Sequence, residues 1–266
     1  TQCPKQHINA GIAEQNACGM AAGIATTGKI PFVSTYAVFG SMRMLEQIRQ
    51  EICYPNLNVK IACSHGGLTP ANDGASHQCI EDMGILRTLP NMTVIMGADY
   101  YATRVLIREA AKLKGPVYLR FTRDPIPFVY DENIKLTIGK ANIIKEGNDI
   151  AIIANGDTVG IAKRAAEVLE GHGISVQLVD MHTIKPIDKE AVLDVIKRIG
   201  KIITVEDHNI INGLGSAVVA EAGEGKVVRI GVQDQFGQSA PYEKLLELNG
   251  ITVEKIVEAY SKLNNK

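Results

Sequence analysis

Three short stretches of this 266-residue sequence concentrate residue types that do chemistry. Residues 7–28, HINAGIAEQNACGMAAGIATTG, set Glu14 at the start of a run dense in Ala and Gly. Asn9 is a suitable N-cap for a helix from Ile12 through Thr27. Glu14 then falls in the first turn, where a carboxylate either complements the helix dipole or serves a site. Ala13, Ala17, Gly19, Ala21, Ala22, Gly23 and Ala25 would let another helix approach closely, so this helix is expected at an interface between chains.

The second stretch, residues 34–39, reads Ser-Thr-Tyr-Ala-Val-Phe. It puts Tyr36 and Phe39 just past a strand, where α/β sheets bind ligands. Only 5% of the chain is aromatic, which gives the pair weight. The third, SHGGLTPANDGASHQ at residues 64–78, brings His65, Asp73 and His77 into one glycine-rich loop. A metal site is one option, but the two histidines lack helical i, i+4 spacing and no Cys pair joins them. A polar loop that orients a hydroxylated substrate and moves protons fits better.

Alternating apolar strands and amphipathic helices must position these residues. Strands are expected at 30–36, 58–64, 92–97 and 116–122, with helices at 40–54, 78–89 and 100–113. Residues 124–139, DPIPFVYDENIKLTIG, break the pattern with two prolines and a charged turn and read as a linker. A second series follows: strands at 149–154, 174–180, 201–206 and 227–232, and helices at 158–170, 188–199, 214–222, 241–248 and 253–263. Two α/β domains result, 1–130 and 140–266, each a mostly parallel sheet flanked by helices with right-handed crossovers. The first domain begins abruptly, so its first strand and helix are expected to be missing from this sequence.

GIAEQN, STYAVF, SHGGLTPANDGASHQ, MHTIKPID and EDHNIINGLGSA, in this order, resemble the pyrimidine-binding and C-terminal domains of transketolase. The likeness covers nearly the whole chain and is closest to the split form made as two polypeptides. It implies a thiamine-diphosphate enzyme that transfers ketol groups between sugar phosphates in the pentose phosphate pathway. By this resemblance Glu14 meets N1′ of the cofactor's aminopyrimidine, and Tyr36 and Phe39 pack on that ring. Met42 stands where larger relatives carry a third aromatic. His65, Asp73 and His77 line the sugar channel, with His65 and His77 catalytic, and Arg123 in YLRFTRDP binds substrate phosphate. The usual Gly-Glu-Asp is here Ala71-Asn72-Asp73, which keeps Asp73 and loses a neighbouring charge. His182, Lys185, Asp207 and His208 are family signatures expected to act in structure or at interfaces.

Relatives bind the diphosphate through Mg²⁺ on a Gly-Asp-Gly segment with a following Asn pair. The nearest sequence here is Gly156-Asp157-Thr158, and Asp73-Gly74 belongs to the substrate loop. The resemblance therefore implies no metal ligand in this chain, with Mg²⁺ held by an N-terminal transketolase subunit as partner. Self-association to a two-plus-two heterotetramer is also expected. The alternatives are a subunit resembling 1-deoxyxylulose-5-phosphate synthase, one resembling the beta subunit of 2-oxoacid dehydrogenases, and a non-catalytic α/β scaffold.

Composition narrows the classes. A net charge of -1 gives no basic field for nucleic acid or a membrane surface. No apolar run approaches the ~20 residues that span a bilayer. Five cysteines without a CxxC pair read as reduced thiols in a cytoplasmic protein.

Overall fold

Apolar runs with no polar alternation demand a sheet covered on both faces, and this chain builds two of them. The computed structural model describes residues 3–223 and 227–264. The N-terminal half contains α1 (Glu14–Ala25), β1 (Phe32–Val33), α2 (Leu45–Gln47), β2 (Lys60–Cys63), α3 (Asp82–Arg87), β3 (Thr93–Met96), α4 (Tyr100–Lys112) and β4 (Val117–Arg120). The C-terminal half contains β5 (Asn142–Lys145), β6 (Ile150–Ala154), α5 (Thr158–Gly171), β7 (Val176–Asp180), β8 (Thr183–Lys185), α6 (Lys189–Arg198), β9 (Ile202–Asn209), α7 (Leu214–Ala222), β10 (Val227–Val232), α8 (Tyr242–Leu248) and α9 (Val253–Asn264).

The first sheet has the order β1-β2-β4-β3-β8 and the second β10-β9-β6-β7-β5. All pairings are parallel except β8 with β3 and β5 with β7. Five consecutive residues of β6 and five of β7 are buried, as sheet centres covered by helices require. α4 buries Ala102, Leu106 and Ala110 on one stripe, and Asp99 caps it by accepting from Ala102 N–H at 2.8 Å.

Several elements differ from the sequence reading. β8 follows β7 directly and crosses over to pair with β3, so the C-terminal half donates an edge strand to the first sheet. The helix expected at 40–54 is α2 set between two wide π-turns, Phe39–Arg43 and Ile48–Cys53. Gly40 lets the first wide turn pack closely against β2, because a Cβ there would collide with the Cys63 sulfur. α1 starts at Glu14, not Ile12. The Asn9 carboxamide instead accepts from Gly11 N–H at 2.9 Å, and Ala13 caps the helix without a side-chain bond. Cys18, Ala21, Ala22 and Ala25 are buried in the chain's own core, against the same cluster as Val33, Ile48 and Ile52. That stripe of α1 is thus committed within the chain, and only the face bearing Gln15, Asn16, Met20 and Gly23 is open.

Candidate active site

The chemistry-bearing residues converge at the carboxyl ends of β1 and β2. Tyr36 bridges to Ser64 beyond the two strands, which sets the aromatic stretch beside the histidine loop. The Tyr36 and Phe39 rings stack at 5.9 Å between centroids and 7° between planes. His65 stacks on Tyr36 at 3.7 Å, and His77 meets Phe39 edge-on at 5.7 Å. The two imidazoles and two aromatic rings thus form one continuous wall.

Each histidine is oriented by its neighbouring serine. His65 Nδ1 lies 2.8 Å from Ser64 Oγ, and His77 Nδ1 lies 2.9 Å from Ser76 Oγ. The Nε2 atoms take no partner among the described residues and remain available to a substrate hydroxyl. Burial first, and the Arg123 charge second, hold the His65 imidazole below its ordinary value. Asp73 and Asp124 pull it back up. Asp73 and Arg123 form an ion pair at 2.9 Å on the outer rim, and Arg123 Nη1 also donates to Pro70 O at 2.8 Å.

Glu14 opens α1 with its side chain 12% exposed. Its carboxylate accepts a long bond, 3.4 Å, from Arg43 Nη1, while the Arg43 guanidinium lies 4.0 Å from the Phe39 ring centroid. Arg43 therefore ties the carboxylate to the aromatic wall through a cation–π contact. Sequence reasoning passed over it. The available signal was its position four residues after Phe39, within reach along one helical face. Met42, nearby in the chain, is exposed.

Of the family-signature residues in the C-terminal half, His182, Asp207 and His208 are buried and Lys185 is half-buried. Lys185 Nζ donates to Leu89 O, and the His208 Nε2 accepts from Gly84 N–H at 3.1 Å. The Asp207 carboxylate accepts from Leu68 N–H at 2.9 Å. His182, also buried, bonds Thr183 Oγ1 at 2.9 Å. Behind the histidine loop, buried Arg120 pairs with Asp82 at 2.9 Å, and the Tyr118 hydroxyl donates to the same carboxylate at 2.6 Å.

The Arg43 guanidinium reaches both the Phe39 ring face at 4.0 Å and the Glu14 carboxylate at 3.4 Å, so a planar nitrogen-bearing group has room to meet the two together. Among the described residues no three His, Cys, Asp or Glu side chains converge to hold a metal ion.

Comparison with known proteins identifies the family. The family model for the transketolase pyrimidine-binding domain matches residues 2–127, and that for the transketolase C-terminal domain matches residues 139–256. A Methanocaldococcus jannaschii protein, provisionally named as a transketolase C-terminal section, is 48% identical over 96% of this chain and 82% of its own length. A 6-deoxy-6-sulfo-D-fructose transketolase subunit of Clostridium sp. strain MSTE9 is 40% identical over 97% of this chain and 81% of its own. A solved split-gene transketolase, described as an inactive beta4 tetramer, superposes with a TM-score of 0.92 at 45% identity, covering 98% of this chain and 85% of that one.

Proposed function

The chain belongs to the transketolase family, as a C-terminal section of the split kind, and from that premise we propose that it is the C-terminal subunit of a two-chain transketolase moving a two-carbon ketol unit between sugar phosphates. The observation that carries the reading is the single wall formed by Tyr36, Phe39, His65 and His77 with Glu14 at its edge.

Thiamine diphosphate, when bound, supplies a nucleophilic carbon and an electron sink for cleaving a bond next to a carbonyl. Tyr36 and Phe39 would hold its pyrimidine, and Glu14 would offer its carboxyl to a ring nitrogen. Its diphosphate and Mg²⁺ sit on a partner chain, the N-terminal transketolase subunit. His65 and His77 orient substrate hydroxyls through their open Nε2 atoms and exchange protons with them. Asp73 holds Arg123 at the mouth, where the guanidinium binds the substrate phosphate.

We place the domains at 1–130 and 140–266 and the protein in the cytoplasm, a setting that its free thiols support. Ile8 and Ile12, both well exposed close to Glu14 in sequence, favour a partner surface at that end of α1. We propose two chains of each kind in the assembly. Replacing Ala21 would not test it, because Ala21 faces this chain's own core.

The test is co-expression with a candidate diphosphate-binding chain, followed by a ketol-transfer assay. The pair should be active, and this chain alone should bind thiamine diphosphate weakly. Micromolar, Mg²⁺-dependent binding to this chain alone overturns the two-chain reading. Relatives named 1-deoxy-D-xylulose-5-phosphate synthase, 38% identical, make pyruvate the control donor, and activity with pyruvate in place of a ketose phosphate would favour that chemistry instead.

A further inference from the structure

The C-terminal half supplies none of the wall residues, yet it grips the loop that carries His65, Asp73 and His77. That loop follows a path L-residues rarely hold. Between residues 65 and 74, φ is 63° at His65, 64° at Gly67, 56° at Ala71 and 75° at Gly74. Left-handed backbone persists in non-glycine residues only where the surroundings hold it there.

The surroundings here come from three points across the interface. Asp207, at the end of β9 and 1% exposed, accepts the Leu68 N–H on both carboxylate oxygens, at 3.1 and 2.9 Å. The Gln238 carbonyl accepts from Gln78 Nε2 at 2.9 Å, and the Ser239 hydroxyl donates to Asn72 O at 2.6 Å. The fit leaves no slack, since a Cβ on Gly67 would collide with Asp207 and one on Gly237 with Gln78. Arg120 Nη2 closes the joint by donating to Cys79 O at 3.1 Å and Asp207 O at 2.9 Å. On its far side the Asp207 carboxylate meets the Tyr242 hydroxyl at 3.2 Å, which also bonds Asp157.

We propose that Asp207 is a positioning residue for the substrate loop, fixing through Leu68 the turn that aims His65, while Gln238 and Ser239 fix the end that aims His77. The C-terminal half then acts in the reaction without touching substrate. The kinetic arm of the test rests on the ketol-transfer reading, and the exchange arm does not.

Amide hydrogen exchange across residues 64–79 is measured on the full chain for wild type, Asp207→Ala, Asp207→Asn and Ser239→Ala. Steady-state kinetics follow in the complex with the partner chain. Asp207→Ala should speed exchange at Leu68 about 2- to 12-fold, the worth of an ordinary buried hydrogen bond, while β6 and β9 keep their protection. It should raise KM for the ketose phosphate more than it lowers kcat. Asp207→Asn keeps an oxygen for Leu68 and turns its amide toward Tyr242 and Asp157, so it should recover most of both. Ser239 is exposed, so Ser239→Ala folds even if Asp207→Ala does not, and it should loosen residues 72–77 to a smaller degree.

Unchanged loop exchange in the folded variants overturns the proposal. So does protection lost evenly through β6 and β9, or a kcat loss with KM unmoved. If the wild-type complex transfers no ketol unit, the functional reading fails and the exchange data still decide the clamp.

Discussion

Removing the guanidinium of Arg123 should discriminate between substrates by a single group, the phosphate. In the structure Nη1 is committed to Pro70 O at 2.8 Å and to Asp73 at 2.9 Å. Nε and Nη2 take no partner among the described residues, which leaves a fork for two phosphate oxygens. The side chain is 36% exposed, so water screens part of the attraction. Charge-assisted bonds in such surroundings contribute about 1.5–3 kcal/mol. Arg123→Ala should therefore lower kcat/KM for phosphorylated ketoses about 10- to 150-fold and leave unphosphorylated analogues nearly unchanged. The fold should lose little, since an exposed pair like Arg123–Asp73 contributes about 0.2–1 kcal/mol. A second signature follows from His65. Arg123 helps hold its imidazole low, so removing that charge should move the acid limb of the pH–rate profile to higher pH. The assay is a coupled ketol-transfer measurement in the reconstituted complex with both substrate types. Equal losses on both, with an unmoved acid limb, would make Arg123 a structural residue and refute the argument.

Glu14→Gln should leave the fold intact and cut turnover of the complex about 10²- to 10⁴-fold, because the amide keeps the shape but cannot exchange a proton. Near-normal turnover would remove Glu14 from the mechanism. Asp180 gives a pH prediction. Its buried carboxyl is pushed up to about 7 by desolvation, against the bond from the Tyr130 hydroxyl, with Asp99 adding a further upward push. A folded value above the unfolded one means stability that is full below about pH 4 and lost as pH rises through 7. Asp180→Asn should flatten that decline in urea unfolding between pH 4 and pH 8, and an unchanged slope would count against it.

The sequence by itself determined most of the elements and the candidate groups. Short apolar β-branched runs such as IAIIA read as strands covered on both faces, and period-3.6 stripes such as Ala102, Leu106 and Ala110 read as helices laid on them. Glu14, Tyr36, Phe39, His65, Asp73 and His77 stand out because their types and local spacing are legible without a fold, whereas Arg123 stands out only through the family resemblance. What the tertiary structure alone decided is which group meets which. In α1, residues are small nearly all round, so hydrophobic contrast does not mark the buried face, and packing chose Cys18, Ala21, Ala22 and Ala25. β8 joined the first sheet through backbone bonds, which carry little side-chain signature and reach a partner some ninety residues away. Arg43 met Glu14 across 29 positions. Asp207 could be buried only because the fold brings Leu68 N–H, 139 residues away, and Arg120 to it. Burial and the neighbouring Asp157 push its carboxyl up to about 8, and such a polar group leaves water only where partners brought by folding replace that water.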